Sequence, residues 1–220
     1  SISPQAGDWG GVVFHFSADS LNSTIEFTQL RYGGGLVSEL QARFSPIHLE
    51  GDVTTGTKGS TPRILSNLIV DSSEPAISAD LASLIADRRA VDPAAAPNSG
   101  PEIRANQIGR TSINGLFIRI DASGGATRPL TSPMLLDDTT ITHTLTRNLL
   151  IEDGGSVTMV PGLNLELQGA TIEVRSPTVG GTTPAFDACG TPPANAAPFF
   201  AACGIPSDPV VISSLLDDRT

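Results

Sequence analysis

One pattern returns along this chain at a fixed interval, and it limits the fold more than composition does. Ile64-x-x-Asn67-x-Ile69, followed by Ile77 and Ala79, recurs 39 residues later as Ile103-x-x-Asn106-x-Ile108, followed by Leu116 and Ile118. A shift of 39 residues the other way finds the first half again, as Ile25-x-x-Thr28-x-Leu30. Each unit is a pair of short apolar stretches about a polar bend, too small to bury its own apolar face. Such units become stable by stacking, so that neighbours build one continuous core. The expectation is a solenoid in which Ile64 lies over Ile103, Asn67 over Asn106 and Ile69 over Ile108. Asn67 and Asn106 then form a structural ladder, because a short amide tolerates left-handed backbone at a bend and can hydrogen-bond to the next layer.

Composition agrees with many short strands. Charged residues make up 16% of the chain and hydrophobic residues 39%, with 22 Gly and 17 Pro. That is enough apolar material for a core, and too little Glu and Lys for a helical bundle. Val12-Val-Phe-His-Phe16, Thr24-Ile-Glu-Phe-Thr-Gln-Leu-Arg-Tyr32 and Thr139-Thr-Ile-Thr-His-Thr-Leu-Thr-Arg-Asn-Leu-Leu-Ile151 read as half-buried strands. Residues 50–62 are a loop by composition, 91–101 is a linker, and 124–133 separates the last Asn-bearing unit from a strand-rich tail that begins at Asp137. Ile77 to Arg89 reads as a short surface helix, with Ser78 or Asp80 as its N-cap.

Both ends of the chain carry a further signal. The last third runs through Asp153-Gly-Gly-Ser-Val-Thr-Met-Val-Pro-Gly162 and Leu163-Asn-Leu-Glu-Leu-Gln-Gly-Ala-Thr-Ile-Glu-Val174 to Asp208-Pro-Val-Val-Ile-Ser-Ser-Leu-Leu-Asp-Asp218. It resembles the opening coils of the right-handed parallel β-helix modules of large bacterial cell-surface and extracellular repeat proteins. In that family a "PVVFTSLLDD"-type strand is followed by a "GDWGGI.F" phrase. Here the second phrase stands at the front, as Gly7-Asp-Trp-Gly-Gly-Val-Val-Phe14, and at 212–214 Ile-Ser-Ser replaces the usual aromatic and threonine.

The resemblance implies an all-β, right-handed parallel β-helix with loop insertions. Residues 1–136 would form its coils, and 137–220 the strand-rich opening coils of a β-helix, continuous with the next module. A coil of such a fold takes roughly two dozen residues, so the longer interval implies an insertion in each period. The function implied is structural and adhesive, in a surface fibre or layer. Its partner would be itself or the adjacent module, with the segment around Val210–Leu216 lying next to one around Trp9–Phe14.

The charge of −10, with Lys58 as the only lysine, disfavours a phosphate backbone as partner. No apolar run approaches the roughly 18–20 residues that cross a bilayer, so membrane insertion of this segment is not expected. Cys189 and Cys203, the only two cysteines, flank a Pro- and Ala-rich stretch. A disulfide between them would stabilise that loop by roughly 3 kcal/mol and would suit an extracellular location.

Candidate sites are few. Trp9 and Tyr32, each the only residue of its type, offer either an aromatic platform for a surface polysaccharide or a cover for the start of a coil. Asp217 and Asp218, with Asp8 of an adjoining module, offer the hard oxygen ligands that calcium takes, or else a solvated turn. Calcium is the one cofactor for which the chain offers ligands. His15, His48 and His143 show no metal-ligand spacing, and His15 is expected to face solvent. The alternative function is a carbohydrate-binding or carbohydrate-cleaving β-helix of the pectate-lyase or polygalacturonase kind. For that reading Asp137-Asp138 and Asp217-Asp218 supply paired carboxylates, without the companion motifs of those enzymes.

Overall fold

A computed structural model describes residues 3–20, 22–37, 42–52, 59–90, 92–120, 128–175, 185–186 and 199–214. The chain is all-β, with parallel sheets, and runs as short strands separated by bends. It begins with β1 (Val12–Phe14), β2 (Thr24–Glu26) and β3 (Gln29–Arg31), then the antiparallel pair β4 (Leu36–Val37) and β5 (Ala42–Arg43), then β6 (Ile47–Leu49). Two passes of three strands follow: β7 (Arg63–Leu65), β8 (Leu68–Val70) and β9 (Ile77–Asp80), then β10 (Glu102–Arg104), β11 (Gln107–Gly109) and β12 (Leu116–Arg119). After them come β13 (Pro133–Leu136), β14 (Thr142–Leu145) and β15 (Leu149–Ile151), then β16 (Ser156–Met159), β17 (Asn164–Leu167) and β18 (Ile172–Val174). The last strands are β19 (Ala185–Phe186), β20 (Phe199–Ala202) and β21 (Val211–Ser213).

Every pass gives a strand to one seven-stranded sheet, in the order β1-β6-β9-β12-β14-β17-β21. All its pairs are parallel. Beside it lie the three-stranded parallel sheets β10-β7-β2 and β11-β8-β3. Further along, the sheets β13-β16-β20-β19 and β15-β18 accompany the same long sheet. That long sheet runs unbroken through position 137, since β12 pairs with β14.

The repeat sets the register. Ile25 pairs with Ile64 and Ile64 with Ile103; Leu30 pairs with Ile69 and Ile69 with Ile108; Ile77 pairs with Leu116 and Ala79 with Ile118. Ile64, Ile69, Ile77, Ala79 and Ile103 have no exposed surface. Burying an Ile or Leu side chain in this way contributes roughly 1.5–3 kcal/mol each, so a shifted register would expose the very residues that hold the layers together.

The bends repeat as well. Phe27, Ser66 and Ala105 have φ of 51°, 55° and 55°, and Tyr32, Asp71 and Arg110 have φ of 63°, 60° and 53°. The left-handed residue is therefore the one before Thr28, Asn67 and Asn106, which corrects the expectation that Asn itself takes that conformation. Asn works through its amide: Asn67 N–H and Nδ2 both donate to Asn106 Oδ1 at 3.0 Å, and Thr28 N–H donates to Asn67 Oδ1 at 3.0 Å. Asn67 Nδ2 also donates to Ile25 O, and Asn106 Nδ2 to Ile64 O. A side chain committed upward and downward at once leaves no reason for its own backbone to be unusual.

Two sequence expectations differ in detail. The helix expected across 77–89 is one turn, Leu81–Leu84, and Ala82, Ser83 and Leu84 in it are buried. Ile77–Asp80 is strand because Ile77 and Ala79 belong to the core row of β9, so Ser78 caps nothing, and Asp80 precedes the turn without a side-chain cap bond. The long Thr-rich strand expected over 139–151 is two strands, β14 and β15, which belong to different sheets.

Candidate functional site

The two ends of the seven-stranded sheet are its most distinctive surfaces. Pairing runs Val12 to Ile47, Ile77, Leu116, His143, Leu165 and Ile212, a single inward-facing row through all seven strands. The middle of the row is buried, whereas at the ends Val12 is 38% and Ile212 46% exposed, with Val13 and Val211 exposed beside them. Among the described residues β1 pairs only with β6, and β21 only with β17. Each strand thus keeps one free edge, and such edges are templates for another strand.

Hydrogen-bond polarity fixes which groups face outward. Val12 N–H donates to Pro46 O and Phe14 O accepts from Glu50 N–H, both on the β6 side. In a parallel ladder alternate residues turn to opposite neighbours, so the N–H and C=O of Val13 face the open edge. Val211 N–H donates to Leu163 O, on the β17 side, so the open edge of β21 carries the N–H and C=O of Ile212.

Trp9 and Tyr32 meet at the β1 end. The backbone N–H groups of Gly7 and Asp8 donate to Tyr32 O at 3.1 and 2.9 Å, and Trp9 Nε1 donates to Arg31 O. The indole packs so closely over Gly33 that a Cβ there would sit 3.1 Å from Trp9 Cζ2. Gly11 lies against the next layer, where a Cβ would come within 2.2 Å of Ser45 O. This corner ties residues 7–11 to the chain just after β3 and just before β6. Asp8 is exposed and its Oδ2 accepts the Gln5 N–H at 2.8 Å. Asp217 and Asp218 lie outside the described residues. So does Cys189; Cys203, half-buried after β20, donates its N–H to Met159 O. No group of three or more His, Cys, Asp or Glu that could hold a metal occurs among the described residues.

His15 is exposed, as expected, and lies 3.5 Å from Glu50. The other two histidines are buried, His48 on the outward side of the long sheet and His143 in its inward row. His48 Nδ1 lies 2.9 Å from Ser78 Oγ, under the ring of Phe44, and burial, with the Arg119 charge adding to it, holds the ring at about 3. His143 occupies the inward row between Leu116 and Leu165, and burial takes it to about 4. Both are therefore neutral at neutral pH.

Asp137 and Asp138 are drawn inward to Arg88, which is 2% exposed. Arg88 Nη2 donates to Asp137 Oδ2 at 2.6 Å and Nη1 to Pro101 O at 2.8 Å, while Asp138 Oδ2 accepts the Ile103 N–H at 3.0 Å. Burial, and then the neighbouring Asp137 charge, pushes Asp138 up to about 7. Asp138 caps the edge of β10, and with Asp137 and His143 it lines a small cavity of about 10 Å³. Residue spacing gave no sign of this cluster, because Arg88 and Asp137 are 49 residues apart.

A groove of about 350 Å³ lies on the outward face of the long sheet, lined in part by Arg43, Glu74, Ser78, Phe117, Arg119 and Arg147. It too was invisible in the sequence, since its residues come from four separate segments. Compared with known proteins, the chain matches no family, no curated protein and no solved structure.

Proposed function

We propose that this chain is one link of a right-handed parallel β-helix, serving as a structural and adhesive module of a large extracellular repetitive protein. Links join head to tail into a surface fibre or layer, either as successive modules of one polypeptide or as successive subunits. The observation that carries this reading is the placement of β1 and β21 at opposite ends of the same parallel sheet, on the same inward row. Adding a second copy continues the sheet without reversing its direction.

The free groups also agree on a register. With Val12 opposite Ile212, the Val13 N–H meets the Ile212 C=O, and the Ile212 N–H meets the Gly11 C=O. This is the spacing used by every other parallel pair in the sheet. The same alignment covers the exposed Val12 and Ile212 side chains, which a monomer leaves in water. Contacts of this heterologous kind do not close on themselves, and they propagate. A disulfide between Cys189 and Cys203 would suit an extracellular setting, and intact mass with and without reductant reads it.

Sedimentation velocity over a range of protein concentrations, with electron microscopy of the heaviest species, tests the proposal. End-to-end oligomers that grow with concentration are expected, and a chain that stays monomeric at high concentration overturns it.

A further inference from the structure

The groove on the outward face of the long sheet concentrates charge of one sign in a molecule dominated by the other. The chain carries 23 acidic and 13 basic residues, yet Arg43, Arg119 and Arg147 all line this one groove, beside Glu74. Their positions follow from pairing. Arg119 stands opposite Asp80 in the β12–β9 ladder, and its Nε lies 3.3 Å from Asp80 Oδ1. A guanidinium carries five N–H donors, so one ion pair does not exhaust it, and its planar fork matches a carboxylate.

The field of this cluster is felt nearby. The Arg119 charge helps to hold His48 neutral, and Arg43 opposes the upward push that burial gives Glu74. Between the arginines Phe117, half-buried on the same face and opposite Ser78, supplies an apolar floor. A volume of about 350 Å³ suits one or two sugar rings at the small end of ligand sites. An apolar floor and guanidinium groups lining one groove together match a ring that is apolar on one face and carries an acid at its edge.

We infer that this groove is a binding site for a carboxylate-bearing saccharide, with Arg43, Arg119 and Arg147 holding the carboxylates and Phe117 lying under the ring. The site is distinct from the corner of Trp9 and Tyr32 and from both free sheet edges, so it stands independently of head-to-tail assembly.

Titration calorimetry of the whole chain at low and moderate salt tests it, with a glucuronate-containing disaccharide, a neutral disaccharide and inorganic sulfate as probes. The acidic disaccharide is expected to bind at least tenfold more tightly than either other probe, and to weaken as salt rises. Arg43 is exposed, so Arg43→Gln should keep the wild-type melting profile while weakening binding, and the double variant Arg43→Gln with Arg147→Gln should lose tenfold or more in affinity. Phe117→Ser should weaken the disaccharide further. The absence of saccharide binding, equal binding of the neutral sugar, sulfate binding as tight as the acidic sugar, or wild-type affinity in the folded double variant would each overturn the assignment.

Discussion

The residues at the bends hold a conformation that L-amino acids avoid. Phe27, Ser66 and Ala105 each adopt positive φ, at a cost of roughly 1–2 kcal/mol per residue. Phe27 is 83% exposed, so its side chain contributes little packing to offset that strain. Phe27→Gly is therefore expected to raise the unfolding free energy by about 0.5–1 kcal/mol, the relief being reduced by the greater freedom of glycine in the unfolded chain. Urea unfolding reads this directly, and a loss of stability would show that the bend is not strained. The neighbouring ladder predicts the opposite sign. Asn106→Leu removes the acceptor of the Asn67 N–H and Nδ2 and the donor to Ile64 O, and should cost about 1–3 kcal/mol. A neutral result in the same assay would deny the ladder its structural role.

At the level of the strand, one position breaks the apolar character of the inward row. His143 on β14 lies between Leu116 and Leu165, where a charged ring is disfavoured by burial. Its folded value of about 4 lies below the ordinary 6.5, so its contribution to stability is complete above 6.5 and is lost as pH falls towards 4. Asp138 has the reverse sign: its folded value of about 7 lies above the ordinary 3.8, so its contribution is present at low pH and lost as pH rises through 7. His143→Leu completes the row and removes the first dependence. Stability at pH 4 relative to pH 7 is expected to improve by roughly 3 kcal/mol over the wild type. An unchanged acid limb in unfolding curves at the two pH values would assign acid sensitivity elsewhere.

For the molecule as a whole, the prediction concerns polarity of assembly. Val13→Pro removes the N–H that faces the open edge of β1, and Ile212→Pro does the same at β21, each without disturbing the bonds made to β6 and β17. Either variant alone keeps one competent end and should sediment as a monomer. Mixed in equal amounts, the two should form a dimer and nothing larger, because the good β21 edge of one meets the good β1 edge of the other. Larger species in the mixture, or oligomers of either variant alone, would show that association runs through some other surface.

What the sequence determined by itself is the part of the fold where layers repeat without change. Five aligned positions at one interval were enough to give the register of β2, β7 and β10, of β3, β8 and β11, and of β9 with β12, because the chain between these strands has the same length each time, whatever its composition. The long sheet as a whole was not readable in this way. Its inward row advances by 35 residues from Val12 to Ile47, 30 to Ile77, 39 to Leu116, 27 to His143, 22 to Leu165 and 47 to Ile212. Strand pairing depends on the few residues in contact, and a loop leaving the stack can lengthen at small entropic cost, so its length erases the period without disturbing the sheet. For the same reason the Arg88 cluster, the burial of His48 and His143 and the arginine-lined groove were decided only by the tertiary structure, which sets side by side residues that no spacing along the chain connects.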